Sequence, residues 1–279
     1  MADNDPVLYE VDGAVATVTL NRPDAANAQS TAMLDELAAA FDRADADDNV
    51  RVVILAANGK HFSAGHDLRG LLDPAAADPW REMRDTPEGK LRHEQVMYFD
   101  KCVKIYDFRK PTIAAVQGSC VAAGLMLACM CDLIMAADDA VFSNPVLRMT
   151  GAAVELLVEP WELGMRKAKE FLLTGDKIDA QEAWRLGLVN RVVPRDSLMS
   201  ETRAMADKVA LVPPITAQAV KDTINHTFDA MGKREAWKYH FMVHQFVSNT
   251  DTALSALEAR KQKGSMKEVF AEHEDKKKP

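Results

Sequence analysis

The chain has 279 residues, of which 48% are hydrophobic and 27% charged, and its formal net charge is −8. This composition predicts one large globular domain, or one domain with an appended piece. An acidic chain without a basic face is poorly suited to nucleic acid, and no segment has the roughly 20 apolar residues that a membrane span needs. The first residues, MADNDPVLYE, lack the order of a secretory signal, so we expect a cytoplasmic protein.

Strand and helix patterns alternate through the first two thirds of the chain. Apolar residues alternate on both sides of Asp12-Gly13, which predicts a hairpin over residues 7–20. An apolar stripe predicts a helix over 31–46, and continuous apolar runs at 52–57, 112–116 and 133–137 predict strands buried on both faces. Further patterns predict helices at 125–130 and 167–174, a capping box at Asp179 and Glu182, and a strand at 189–193. This alternation indicates an α/β core with parallel strands.

Two other regions differ in character from this core. After Pro213-Pro214 the pattern is helical to the end of the chain. Residues 70–110 are charged and contain three prolines, and they predict a loop followed by a helix near 91–106. A long loop of this kind is typical of a lid over a functional site.

The four cysteines are Cys102, Cys120, Cys129 and Cys131. Cys129 and Cys131 lie two apart in a segment with a helical pattern, so their side chains point to different sides. Zinc sites usually pair CxxC motifs, which this chain lacks. We therefore expect buried structural thiols and no metal site.

Two stretches of small residues follow predicted strands and lead into predicted helices: FSAGHDL at 62–68 and GSCVAAG at 118–124. Small side chains let a ligand approach the backbone, and the start of a helix leaves N–H groups unpaired. Two such turns could direct two N–H donors at one carbonyl oxygen, which is an oxyanion hole. Each turn alone is also compatible with a structural or phosphate-binding role. Neither is a GxGxxG or Walker motif, which argues against dinucleotide or ATP binding.

In this order and about 55 residues apart, the two stretches resemble the crotonase (enoyl-CoA hydratase/isomerase) superfamily. Further similarity lies in NRP at 21–23 with Asn27, CDL at 131–133, LTG at 173–175, GLV at 187–189 and the helix at 256–263. The resemblance implies an α/β spiral of ββα units over residues 1–195 and a C-terminal helical trimerisation region over 196–279. It also implies a homotrimer or dimer of trimers that acts on acyl-CoA thioesters in fatty acid metabolism.

The resemblance assigns the oxyanion donors to the backbone N–H groups of His66 and Ala123, the latter where the family generally has glycine. Coenzyme A, as part of the substrate and not as a permanent cofactor, would lie along Ala64, Gly65 and His66, close to Gly124. The resemblance implies three possible partners for the phosphates of coenzyme A, which are Arg22, Arg260 and Lys263.

The family's hydratases use two glutamates, and this chain matches those positions with Met126 and Val146. Neither side chain can transfer a proton or hydrogen-bond a water. The remaining acid nearby is Glu155, close to the position where dienoyl-CoA isomerases and chlorobenzoyl-CoA dehalogenases carry one. Its neighbours Val154, Leu156 and Leu157 predict an apolar setting that raises its pKa. The alternative is a solvent-facing carboxylate at a helix end.

Several other side chains are candidates for lesser roles. Glu159 could share the face of Glu155, although Pro160 indicates a helix boundary there. The imidazole of His66 could act as a base, and Asp67 could cap the following helix. Three residues of the 70–110 segment could line an acyl pocket or pack elsewhere: His93, Tyr98 and Tyr106.

Three classes of function remain open on the sequence. The first is a hydratase- or isomerase-type enzyme that forms a thioester enolate and uses Glu155. The second is a non-catalytic acyl-CoA-binding protein, which the loss of both glutamates favours. The third is hydrolysis or decarboxylation of a CoA ester.

Overall fold

The structure, a computed structural model, describes residues 5–69, 80–149 and 151–263. It is a mixed α/β fold that ends in a run of helices. Its nine described strands are β1 (Val7–Asp12), β2 (Val15–Leu20), β3 (Val52–Ala57), β4 (Thr112–Val116), β5 (Ser119–Val121), β6 (Leu133–Ala137), β7 (Val141–Ser143), β8 (Ile178–Asp179) and β9 (Arg191–Val193).

The helices of the described residues fall into a core set and a C-terminal set. The core set is α1 (Thr31–Ala46), α2 (Arg81–Arg84), α3 (Pro87–Glu94), α4 (Asp100–Tyr106), α5 (Ala123–Ala128), α6 (Glu159–Thr174) and α7 (Ala180–Leu186). The C-terminal set is α8 (Leu198–Ala210), α9 (Pro214–Ala230), α10 (Lys233–Ser248) and α11 (Asp251–Lys263). None of these helices is both long enough and apolar enough to cross a bilayer.

The main sheet has six strands in the order β1-β2-β3-β4-β6-β9. The β1–β2 pair is the predicted antiparallel hairpin, and the remaining pairs are parallel. Both faces of β3 are buried: Val53 and Leu55 join the larger core, whereas Val52 and Ile54 join a second core under α8. Coverage on both faces explains why these strands are continuous apolar runs and not alternating ones.

Most of the predicted elements are confirmed, and the differences are at their ends. The helix predicted at 125–130 occupies Ala123–Ala128, because a positive φ of 50° at Ala122 turns the chain into the helix two residues earlier. The helix predicted at 167–174 is the second part of α6, which begins at Glu159 with Pro160 in its first turn and is kinked at Gly164, where φ is 72°. Asp179 caps α7 through Glu182 N–H as predicted.

The segment predicted as a lid is described only from residue 80 onward. There α3, a π-helical turn at Gln95–Phe99 and α4 form one helical stretch, so the helix predicted near 91–106 begins earlier, at Pro87. Residues 70–79, where we predicted the loop, lie outside the described residues. The four cysteines are free and buried, as expected for structural thiols.

Candidate functional site

The two small-residue turns meet because they follow neighbouring parallel strands. β3 and β4 are paired in parallel, so the segments that leave their carboxyl ends emerge at the same edge of the sheet. Ser63 and Cys120 then form a parallel bridge, in which Ser63 N–H donates to Ser119 O at 3.2 Å and Val121 N–H donates to Ser63 O at 2.9 Å. The pairing that the oxyanion hypothesis requires is therefore present in the backbone.

Glycine is needed where the turns approach each other most closely. A Cβ atom on Gly124 would lie 2.6 Å from Ser63 O, and one on Gly65 would lie 3.0 Å from Val121 O. Gly65 also has a φ of +89°, which L side chains rarely adopt. These contacts are the physical reason for the small residues of the two motifs.

The backbone N–H of His66 is left outside the local hydrogen bonding. In the parallel bridge between Gln29 and His66, Gln29 N–H donates to Gly65 O at 2.8 Å and Asp67 N–H donates to Gln29 O at 3.0 Å. The flanking residues thus use both bonds of the bridge, and His66 N–H has no backbone acceptor among the described residues. A donor of this kind is available to a ligand.

The backbone N–H of Ala123 is the second donor that the oxyanion hypothesis predicts. Ala123 is the first residue of α5, and the first N–H groups of a helix have no partner within it. The preceding Ala122 has φ 50° and ψ −112°, a conformation that costs a non-glycine residue about 1–3 kcal/mol and that sets the direction of the Ala123 N–H. A Cβ atom on Gly65 would lie 3.3 Å from Ala123 N, so the turn before His66 lies close to this N–H group.

The imidazole of His66 is paired with Glu155. His66 Nε2 lies 2.9 Å from Glu155 Oε2, and the carboxylate side chain is 3% exposed. Tyr98 stacks on the imidazole with ring centroids 3.8 Å apart. His66 Nδ1 is buried and has no hydrogen-bond partner among the residues described. One ring nitrogen is therefore fixed by a carboxylate and the other is unused.

Two expectations for Glu155 are wrong: its carboxylate does not face solvent, and its pKa is lowered and not raised. Val154 and Leu156 are buried, as the sequence indicated, and burial by itself raises the pKa of Glu155. The positive charge and hydrogen bond of His66 outweigh burial and hold the pKa of Glu155 at about 2. No local pattern in the sequence indicates this pairing, because the partners are 89 residues apart.

A second buried pair lies behind the first. His244 Nε2 lies 3.1 Å from Glu94 Oε2, and Gln245 Nε2 donates to the same oxygen. One ligand atom from each of Glu94, Glu155 and His244 lies within 4.8 Å of the others. These three side chains have the atoms to hold a cation, although hydrogen bonds to protein groups already account for their placement.

Met126 and Val146, which match the positions of the family's two glutamates, both belong to apolar surroundings. Met126 is fully buried in the main core, and Val146 is half-buried against that core. Glu159 begins α6, at the boundary predicted from Pro160, and is buried with Oε1 accepting from Asn144 Nδ2 at 2.6 Å. Burial raises the pKa of Glu159, and its Oε2 lacks a partner among the described residues.

Arg22 and Asp67 secure the turn that carries His66. Arg22 donates to Asp67 Oδ2 at 2.8 Å, and Arg69 donates to both carboxylate oxygens. Although burial opposes ionisation, these hydrogen bonds hold the pKa of Asp67 at about 2. Asp67 Oδ1 also accepts from Arg69 N–H, as a capping residue does, but the residues that follow 69 are outside the described part.

The remaining predicted residues are placed as follows. Ala64 is exposed, Arg260 donates to Met149 O, and the side chain of Lys263 is outside the described residues. Of the three candidates for an acyl pocket, Tyr98 contacts His66, and His93 contacts Tyr98 at 5.3 Å between ring centroids. Tyr106 packs instead on Trp237 of the C-terminal helices.

The chain is similar to known proteins in both sequence and structure. The family model for Enoyl-CoA hydratase/isomerase matches residues 10–267. EchA13 of Mycobacterium tuberculosis, provisionally named an enoyl-CoA hydratase, is 45% identical over 258 residues, which cover 86% of this chain and 79% of that protein.

Two solved structures show the same fold. A probable enoyl-CoA hydratase from Mycobacterium thermoresistibile has a TM-score of 0.82 at 46% identity, covering 90% of this chain and 98% of that one. An enoyl-CoA hydratase/isomerase from Xanthobacter autotrophicus Py2 has a TM-score of 0.83 at 32% identity, covering 95% and 96%. With the two turns paired as described, these matches show that the chain belongs to the enoyl-CoA hydratase/isomerase family, that is, to the crotonase superfamily.

Proposed function

We propose that the protein is an acyl-CoA enzyme that polarises a thioester carbonyl with the N–H groups of His66 and Ala123. The imidazole of the same His66 moves a proton at the neighbouring carbon. The observation that carries the proposal is the 2.9 Å pair between His66 Nε2 and Glu155 Oε2, which leaves Nδ1 unused beside the backbone donor of the same residue. Covalent geometry keeps that donor and that nitrogen within a few ångström of each other.

The two N–H groups stabilise the negative charge that develops on the carbonyl oxygen when a proton leaves the adjacent carbon. Such fixed donors interact more strongly with the enolate than with the neutral thioester, so they lower the barrier and not merely the dissociation constant. Removing one oxyanion donor typically costs about 10²- to 10³-fold in rate. A bare backbone pair at the meeting of two turns is suited to this role.

The proton acceptor in this scheme is His66 Nδ1. The Glu155 carboxylate accepts a hydrogen bond from Nε2–H and so fixes the tautomer that has a lone pair on Nδ1. The bond from the acyl α-carbon to hydrogen breaks, its electron pair becomes the enolate, and the proton passes to Nδ1. Glu155 orients the base and stabilises the imidazolium but does not itself carry the proton.

The apolar pair Met126 and Val146 favours chemistry that needs a single acid–base group. Isomerisation of a double bond requires one proton to be moved between carbons, whereas the family's hydration uses two glutamates. We further propose that the CoA part lies along Ala64–Gly65–His66 and Gly124. Arg22, Arg260 and Lys263 are the candidate phosphate partners, and the assembly is a homotrimer or a dimer of trimers.

The experiment is exchange of α-protons in D2O, followed by NMR on butyryl-CoA, with crotonyl-CoA turnover measured in parallel. We expect the wild type to exchange α-protons and His66→Asn, which retains the backbone N–H, to bind the ester with exchange reduced about 10²-fold or more. His226→Asn, a change at an exposed histidine, is the matched control. Undiminished exchange in His66→Asn contradicts the assignment of the base.

A second candidate is a non-catalytic acyl-CoA-binding protein, which the buried Met126 and half-buried Val146 favour. It predicts tight binding of both esters with neither exchange nor turnover in the wild type. Hydrolysis or decarboxylation of a CoA ester is distinguished by release of free CoA or of carbon dioxide.

A further inference from the structure

The C-terminal helix α10 contacts the segment of Glu155 with two histidines one turn apart. His240 Nε2 lies 2.8 Å from Val154 O, next to Glu155 in the chain. His244, four residues later, lies 3.1 Å from Glu94 Oε2 and within 4.8 Å of a Glu155 oxygen. The side chains of both histidines and both glutamates are buried in the fold.

Two buried carboxylates at this separation repel each other unless a positive charge compensates them. Glu94 and Glu155 come from different parts of the fold, and the ring of His244 is the group that faces both. The charged and titratable groups that face His244 are Lys90 and Glu94 from α3, Glu155, and His240 on its own helix. Burial opposes a charge on His244, but the hydrogen bond that its ring donates to Glu94 and the charges of the two carboxylates raise its pKa.

We infer that His244 is a positioning residue for the proposed reaction: as an imidazolium between Glu94 and Glu155, it keeps Glu155 an anion and so fixes His66 with Nδ1 free. This inference rests on the proposed function. It assigns to α10, which lies outside both oxyanion turns, control over the base. Gln245 supports the arrangement by donating a second hydrogen bond to Glu94.

The sign of the pH dependence follows from these charges. The rate falls when His244 loses its charge as the pH rises, because Glu94 and Glu155 are then uncompensated. We expect a pH profile whose alkaline limb belongs to His244.

The test compares pH profiles of α-proton exchange in the wild type, His244→Gln and Glu94→Gln. His244→Gln should lower the rate about tenfold, the equivalent of one pKa unit of lost interaction, and remove the alkaline limb while KM is unchanged. Glu94→Gln should move the alkaline limb to lower pH, because the carboxylate that stabilises the imidazolium is gone. His240→Gln is the control: it weakens a hydrogen bond to Val154 O but should retain the limb.

A readout without substrate separates this inference from the proposed function. Infrared spectra of protein with 13C-labelled glutamate carboxylates should show Glu155, identified by its absence in Glu155→Gln, titrating at higher pH in His244→Gln than in the wild type. That result supports the inference even if the wild type converts no ester. Unchanged carboxylate titration, an alkaline limb that persists in His244→Gln, or a stoichiometric metal whose removal abolishes the limb overturns it.

Discussion

Replacing Glu155 by Gln removes a charge and preserves the shape of the side chain. Gln resembles the protonated carboxyl group, and its Oε1 can still accept a hydrogen bond from His66 Nε2–H. The pKa of Glu155 is held at about 2 in the folded protein instead of 4.5, a difference that corresponds to roughly 3 kcal/mol of stability at neutral pH. We therefore expect Glu155→Gln to lower the free energy of unfolding by about that amount at pH 7.

The pH dependence provides a sharper test than the loss itself. Because the folded-state pKa is depressed, the stabilisation is present above pH 4.5 and is lost as the pH falls toward 2. The difference between the wild type and Glu155→Gln should shrink to roughly 1 kcal/mol at pH 3. Urea denaturation followed by circular dichroism at pH 7 and pH 3 measures both values.

Glu159 supplies a matched control of the opposite sign. It is as deeply buried as Glu155, but burial raises its pKa, so its ionised form destabilises the fold as the pH rises above 4.5. Glu159→Gln should be neutral or stabilising at pH 7 and should keep the hydrogen bond from Asn144. Equal losses in the two variants, or a loss in Glu155→Gln that does not change with pH, would refute the pairing of Glu155 with His66.

Three further predictions concern stability. Burial lowers the pKa of His93 to about 4. The contribution of the neutral ring to the free energy of unfolding is therefore present above pH 6.5 and is lost as the pH falls toward 4. His93→Phe should remove roughly 2 kcal/mol of that acid sensitivity after solvent screening is allowed for, whereas the exposed His226→Gln should not. Gly124→Ala places a Cβ 2.6 Å from Ser63 O and should lower the free energy of unfolding by about 1–3 kcal/mol. The same variant should bind acyl-CoA more weakly, as measured by calorimetry. Asp67→Asn should cost roughly 1 kcal/mol near neutral pH and little at pH 2, because its pKa of about 2 lies below the ordinary 3.8; no change in thermal midpoint at pH 7 would contradict this.

Much of the sheet could be predicted from the sequence because each buried strand is marked by its own run of neighbouring residues. The strands at Val52–Ala57, Thr112–Val116 and Leu133–Ala137 are continuous apolar runs, and burial on both faces produces that pattern wherever it occurs. The ends of the helices are predicted less accurately than the strands. The start of α5 depends on the positive φ of Ala122, which no residue preference announces.

The candidate site divides in the same way. The two turns were found because small residues after a strand are a local signal, and β3–β4 pairing brought them together. His66–Glu155 and Glu94–His244 join residues 89 and 150 positions apart, so the sequence showed neither pair. An apolar neighbourhood therefore predicted the wrong direction for the pKa of Glu155. The division at residue 195 and the assembly state remain predictions.

In the proposed function, two backbone N–H groups polarise a bound thioester carbonyl. Isotope-edited infrared spectroscopy of butyryl-CoA labelled with 13C at that carbonyl measures this directly, since hydrogen bonding lowers the C=O stretching frequency. We predict a lower frequency in the complex than in water, and a smaller shift in Ala123→Pro, where the first position of a helix tolerates proline and the N–H is removed. A bound ester with the frequency of the free one, or a folded Ala123→Pro with an undiminished shift, would contradict it.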